Sequence, residues 1–228
     1  MVSIDDFNPE FRNHKRAKRM KLRYDAALDR AIITIPPFTS KRTARNFAQN
    51  HIDWLLKQRN TSPDNVYLAP GQTIPFKGID RLIIHDQERT GRVTITEDTI
   101  VVGGRREGFS VRLENFLKKQ ARMITEPLAD EMARKIDKNF KRIQIRDTKS
   151  RWGSCSSSGN ISLSWRLILT PPEILEYVVA HEVAHLQEMN HSPAFWAVVD
   201  CLVLNAKSSR KWLKTKGQDL MLILPEPS

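Results

Sequence analysis

Residues 177–196 read YVVAHEVAHLQEMNHSPAFW, and this stretch decides the fold. Tyr177, Val178, Val179, Ala180, Val183 and Ala184 describe a helix that is apolar almost all round, the pattern of a buried helix, interrupted only by His181, Glu182 and His185. Thr170-Pro171-Pro172 opens that helix, with Thr170 as its expected cap and Glu173 and Glu176 in its early turns. Ser192 and Pro193 start another helix at once, running through Phe195, Trp196, Val199 and Leu202. Pro193 prevents the first helix from continuing unkinked, so Asn190 is expected to turn the chain in the left-handed conformation.

His181-Glu182-Val183-Ala184-His185 is an H-E-x-x-H arrangement. Helical positions four apart lie about 40° and 6 Å from each other, so two imidazoles can reach one zinc ion at roughly 2.0 to 2.1 Å each. Glu182 then sits beside the ion without having to ligate it, where a carboxylate can take a proton from an attacking water and pass it to the leaving amine. A core histidine bonded to a neighbour accounts for one of these residues. Three polar groups on a buried helix cost several kcal/mol, of the order of typical desolvation penalties, unless they are paired or metal-bound. The expectation is one Zn2+ per chain and peptide hydrolysis without a covalent intermediate.

Catalytic zinc takes three protein ligands and keeps a position open. His191, six residues after His185, is the leading third ligand, and Asp200 on the next helix is the alternative. The histidine spacing equals that of metzincin proteases, but Glu188 stands where their glycine would be and no Met-turn follows.

Together with SRWGSCSSSGNISLSWRL upstream, at residues 150–167, the helix motif resembles the YgjP-like metallopeptidases, relatives of the SprT-like zincins. The resemblance covers residues 105–215 strongly and the first half diffusely. It implies a minimal zincin fold with His181, His185 and His191 as metal ligands and Glu182 as general base. In zincin-like proteins an edge strand pairs with extended substrate, and Trp152, Gly153, Ser154 and Cys155 are the candidates for it. The other reading is an ordinary hairpin with Trp152 and Trp165 in the core. Cys155 reads as a small buried thiol rather than a ligand. Tyr177 and Arg151 have the chemistry of an oxyanion stabiliser.

Outward from this centre, RIQIRD (142–147) and ISLSWRLIL (161–169) read as a strand hairpin joined through KSRWGSCSSSGN. Leu113, Phe116, Leu117 and residues 120–136 predict a long helix from about Ser110 to Asp137. Before Gly103-Gly104 the chain is strand-like, as in KLRYDAALDRAIITI, RLIIHD and RVTITEDTIVV. One helix interrupts it, capped by Ser40 and ending before the NTSPDN loop. The expected class is α+β: a β-rich antiparallel domain over 1–105 and the metallopeptidase domain over 106–228.

The chain has 228 residues, 40% hydrophobic and 28% charged, which excludes a disordered or fibrous protein. It has no apolar run of membrane-spanning length, and MVSIDDFNPE lacks the order of a secretory signal, so a soluble, cytoplasmic protein is expected. Cys155 and Cys201 read as free thiols. The formal net charge of +11 resides in two segments without acids: seven Lys and Arg over residues 12–23 and five over residues 207–216. Either these are solvated faces or they attract nucleic acid through its phosphates. A nucleic-acid-associated protein, proteolytic towards DNA-bound proteins or with a structural zinc, is therefore the second reading. Against a structural zinc stands Glu182, for which such a site has no use. His14, His51 and His85 read as surface or structural residues, and Trp212 as the anchor of a terminal helix.

Overall fold

The computed structural model describes residues 2–25, 28–61, 66–148 and 151–226. Two compact units divide the chain, Met1–Asn65 and Val66–Ser228.

In the first unit, β1 (Glu10–Asn13), β2 (Lys21–Asp25) and β3 (Arg30–Ile35) form a sheet of order β1-β3-β2. β3 runs parallel to β1 and antiparallel to β2, so the sheet is mixed where an antiparallel one was expected. The expected helix is two: α1 (Lys41–Gln49), capped by the Ser40 hydroxyl accepting from the Thr43 amide at 3.0 Å, and α2 (Ile52–Thr61). Ala44, Ala48 and Leu55 bury against Phe7, Ile33 and Ile35. Of the expected NTSPDN loop, residues 62–65 lie outside the described residues.

The second unit begins with β4 (Val66–Tyr67), β5 (Thr73–Phe76), β6 (Ile79–Asp86), β7 (Val93–Ile95) and β8 (Thr99–Gly103). The last four form a sheet of order β5-β6-β8-β7, again mixed, with β6 and β8 parallel. α3 (Phe109–Lys135) crosses it. Ile74, Phe76, Ile83, Ile100 and Val102 share one core with Phe109, Leu113 and Leu117 of α3. The domain boundary therefore lies at residue 65 and not near 105. Strand patterns look alike on both sides of residue 65, and what separates them is the core they join, which is a nonlocal property.

After α3 come β9 (Arg142–Arg146), β10 (Gly153–Cys155) and β11 (Asn160–Ser164), in the sheet order β10-β11-β9. β9 and β11 are parallel, which corrects the expected hairpin; the antiparallel partner of β11 is β10. Lys149 and Ser150 of the connecting segment lie outside the described residues. ISLSWRLIL is a strand only to Ser164, because Trp165–Leu169 wind into a buried 3-10 turn started by the Ser164 hydroxyl. Arg166, fully buried there, donates to the Ile223 carbonyl through Nε (3.0 Å) and Nη2 (2.8 Å) and is paired with Asp147.

The unit closes with α4 (Pro172–Ala184), α5 (Pro193–Leu202), α6 (Ala206–Thr215), α7 (Gly217–Leu220) and β12 (Ile223–Leu224), the last pairing in parallel with β4. Pro171, not Thr170, precedes the first turn of α4, and the Thr170 hydroxyl instead donates to the Leu167 carbonyl at 2.8 Å. Trp212 packs against the core as a helix anchor. No described helix is long and apolar enough to cross a membrane.

Candidate metal centre

α4 is the central helix of the second unit and packs on α3, β10, α5 and α6. Its apolar residues Val178, Val179, Ala180, Val183 and Ala184 are all buried, as the sequence pattern requires. His181 and Glu182 lie in its last turn and His185 is its C-cap. The chain then turns through Leu186 and Gln187, whose amides donate back to the Val183 and Ala184 carbonyls at 2.9 and 3.1 Å. Asn190 does not take the left-handed conformation expected of it; among the described residues of this turn no φ is positive. The turn instead ends with the Ser192 amide donating to the Asn190 carbonyl at 2.8 Å, and the Ser192 hydroxyl capping α5.

This path brings His191 back over α4. One nitrogen from each of His181, His185 and His191 lies within 4.8 Å of the others. His181 Nε2 and His191 Nε2 face each other at 3.1 Å. Two ring nitrogens so placed need a proton or a cation between them, and tetrahedral zinc with Zn–N near 2.05 Å sets ligand nitrogens about 3.3 Å apart. His185 Nδ1 donates to the Glu188 carbonyl at 3.0 Å, which fixes the tautomer and leaves Nε2 with its lone pair. Glu188, in the place of the metzincin glycine, thus acts through its backbone. Burial, then the charges of His185, His191 and Arg210, pull the His181 pKa down to about 4. Burial also lowers that of His185. Both shifts favour the neutral imidazole that metal ligation requires. His181 Nδ1 is buried without a hydrogen-bond partner among the described residues. The three-imidazole donor set fits a borderline-soft cation such as zinc. Asp200 is exposed and outside the cluster.

Phe195 was legible only as a core residue, yet its ring forms the wall behind all three imidazoles, with centroids 4.9, 4.6 and 4.7 Å from those of His181, His185 and His191. Trp196 stacks beside His191 at 5.9 Å. The Arg210 guanidinium lies 4.8 Å over Trp196, and its charge reaches His181 and Tyr177. Among the described residues Arg210 has no carboxylate within salt-bridge distance. The signal for it was its place in the basic run 207–216, which hid the cation beside the site among four others.

Glu182 is 5% exposed, and burial raises its pKa to about 8, opposed by Arg151. Its side chain lies against β10: a Cβ built on Gly153 falls 2.6 Å from Glu182 Cγ and Oε1. β10 is the outer strand of its sheet, so one side of its backbone is unpaired in that sheet. Trp152 differs from the three residues after it, since its ring packs between the two cores and against Gly217, and its carbonyl accepts from the Ser164 amide at 2.8 Å. The Cys155 thiol is pushed up to about 11 by burial and the Glu182 charge, and Cys155 is not among the residues of the histidine cluster. Tyr177 is buried, 6.0 Å ring to ring from His181.

A buried helix with converging imidazoles and an adjacent carboxylate is the arrangement of a metallopeptidase. The YgjP-like metallopeptidase domain matches residues 18–216, and the chain belongs to the YgjP-like family. No curated protein matches it. It is similar to the crystal structure of the metallopeptidase zymogen abylysin of Pyrococcus abyssi, with 25% identity over 41% of this chain and 96% of that one and a TM-score of 0.37.

Proposed function

We infer that the protein is a zinc metalloendopeptidase in which His181, His185 and His191 hold one zinc ion and Glu182 is the general base. The observation that carries this reading is the convergence of three imidazole nitrogens beside a buried carboxylate. A zinc ion held there supplies Lewis acidity, polarising the scissile carbonyl and lowering the pKa of water. Glu182 takes a proton from the attacking water as its oxygen bonds to the carbonyl carbon, and returns it to the amide nitrogen as the C–N bond breaks. Burial makes Glu182 a stronger base than an exposed carboxylate, with a pKa closer to working pH. Arg210, held over Trp196, faces the negative charge that develops on the carbonyl oxygen. The free side of β10 at Gly153, Ser154 and Cys155 receives the substrate as an added strand, next to Glu182. Two free cysteines fit the reducing cytoplasm.

The test is cleavage of an unfolded protein by the zinc-loaded chain and by its Glu182→Gln variant. Cleavage by the first and a loss of roughly 10²- to 10⁴-fold in the second, both at one zinc per chain, is the expected result. Equal cleavage by the two would remove Glu182 from the mechanism.

A further inference from the structure

The first unit carries thirteen Lys and Arg against seven Asp and Glu in 65 residues, so more than half of the net charge resides in less than a third of the chain. Its acids are largely engaged: Glu10 by Arg12 and Arg30, Asp25 by Arg23, Asp5 by Arg45 and Asp29 by Arg59. Lys15, Arg16, Lys18, Arg19 and Lys21, by contrast, have no carboxylate within salt-bridge distance among the described residues. Five cations in seven positions repel one another and favour a polyanion.

Beside the end of this run is an open cleft of about 450 Å³. Arg19, just before the edge strand β2, and Lys21, its first residue, line it. Phe47, His51 and Trp54 also line it, at i, i+4 and i+7 where α1 passes into α2, together with Leu22. The Phe47 and His51 rings lie 4.6 Å apart, and His51 Nδ1 donates to the Phe47 carbonyl at 2.8 Å, which holds the imidazole in place. Trp54 is 40% exposed and makes no ring or cation–π contact among the described residues. An exposed indole without a ring partner among the described residues, lining an open cleft with cations that no carboxylate pairs, has the chemistry of a base-stacking platform with a phosphate track beside it.

We propose that this cleft binds single-stranded nucleic acid, with bases stacking on Trp54 and on the Phe47–His51 pair and phosphates held by Arg19, Lys21 and the cations leading to them. An acidic peptide would use the charges but has no planar faces for the rings. A lipid surface would meet rings projecting outward, not rings lining a cleft. A duplex keeps its bases stacked on each other and could engage only the cations. The proposal does not depend on the peptidase reading, and its test needs no metal.

The experiment is fluorescence anisotropy of a labelled oligothymidylate with the full chain over a series of salt concentrations. Parallel arms use the same length of duplex DNA and vesicles of phosphatidylcholine with phosphatidylserine. Single strand is expected to bind more tightly than duplex, with an affinity that falls linearly in log–log salt. Trp54→Ala should weaken it roughly 5- to 150-fold, the range of one lost base stack, and Trp54→Phe should keep most of it. Arg19→Ala with Lys21→Ala should reduce the salt slope by about 1 to 2. Equal affinity for duplex, an unchanged Trp54→Ala variant with native circular dichroism, binding of vesicles only, or no binding at low salt would each overturn the proposal.

Discussion

Gly153 and Glu182 occupy the space of a single larger pair: a Cβ on the glycine would lie 2.6 Å from both Cγ and Oε1 of the carboxylate side chain. The absence of a side chain at residue 153 is what lets the edge strand and the proposed base share one wall of the site.

Gly153→Ala is therefore expected to move Glu182 without touching the three histidines. The measurement is kcat together with zinc content. A fall in kcat of roughly 10²-fold, as when a general base is misplaced, with one zinc retained is the expected result. Unchanged kcat would mean that the side chain relaxes without consequence.

Protonation of Glu182 links this site to the stability of the metal-free protein. Its folded pKa of about 8 lies above the ordinary 4.5, so its contribution to stability is full below 4.5 and is lost as pH rises through 8. His181 works in the opposite sense, from 6.5 down to about 4, because its folded pKa is depressed. Between pH 6.5 and 8 only the carboxylate of this pair sets a slope. In that window the melting temperature of the metal-free Glu182→Gln variant should gain on the wild type as pH rises. A constant difference would mean that Glu182 is not held protonated.

Phe195 touches all three imidazole rings, so its shape sets their convergence. Phe195→Leu should lower zinc affinity by about 10- to 100-fold, the usual effect of losing a residue that orients metal ligands. Competition with a chromophoric chelator reads this directly.

Removing the Arg210 guanidinium should cost kcat and leave zinc in place. A loss of about 10²- to 10³-fold is expected for Arg210→Ala, as for a single oxyanion donor. Arg210→Lys should restore part of it, since a cation remains over Trp196. A rise in KM alone would assign Arg210 to ground-state binding instead.

What could be read in advance follows the distance over which each feature is encoded. His181 and His185 are fixed by one helical turn, and His191 needs only a six-residue return, so the cluster was legible. The Ser192 cap and the extent of α3 are equally local. The parallel pairing of β9 with β11 was not, because strand patterns carry no information about direction once a third strand can intervene. The contact of Gly153 with Glu182, and the approach of Arg210, depend on how β10 and α6 dock on α4, which no local pattern records. The boundary at residue 65 was not legible for the same reason: β5 to β8 belong with α3 through side chains that meet only in the folded core.

The pairing of β12 with β4 joins the first and last described strands of the second unit, and Arg166 donates two bonds to the Ile223 carbonyl of β12, 57 residues downstream. Synthesis proceeds from one end, so this seam can be sewn only after residue 224 has cleared the ribosomal tunnel. Until then α4 is made but its unit is unsealed, with a buried guanidinium waiting for its acceptor. A chain stopped before Ile223 would carry the helix motif without the carbonyl that accepts from Arg166 and without the strand that pairs with β4.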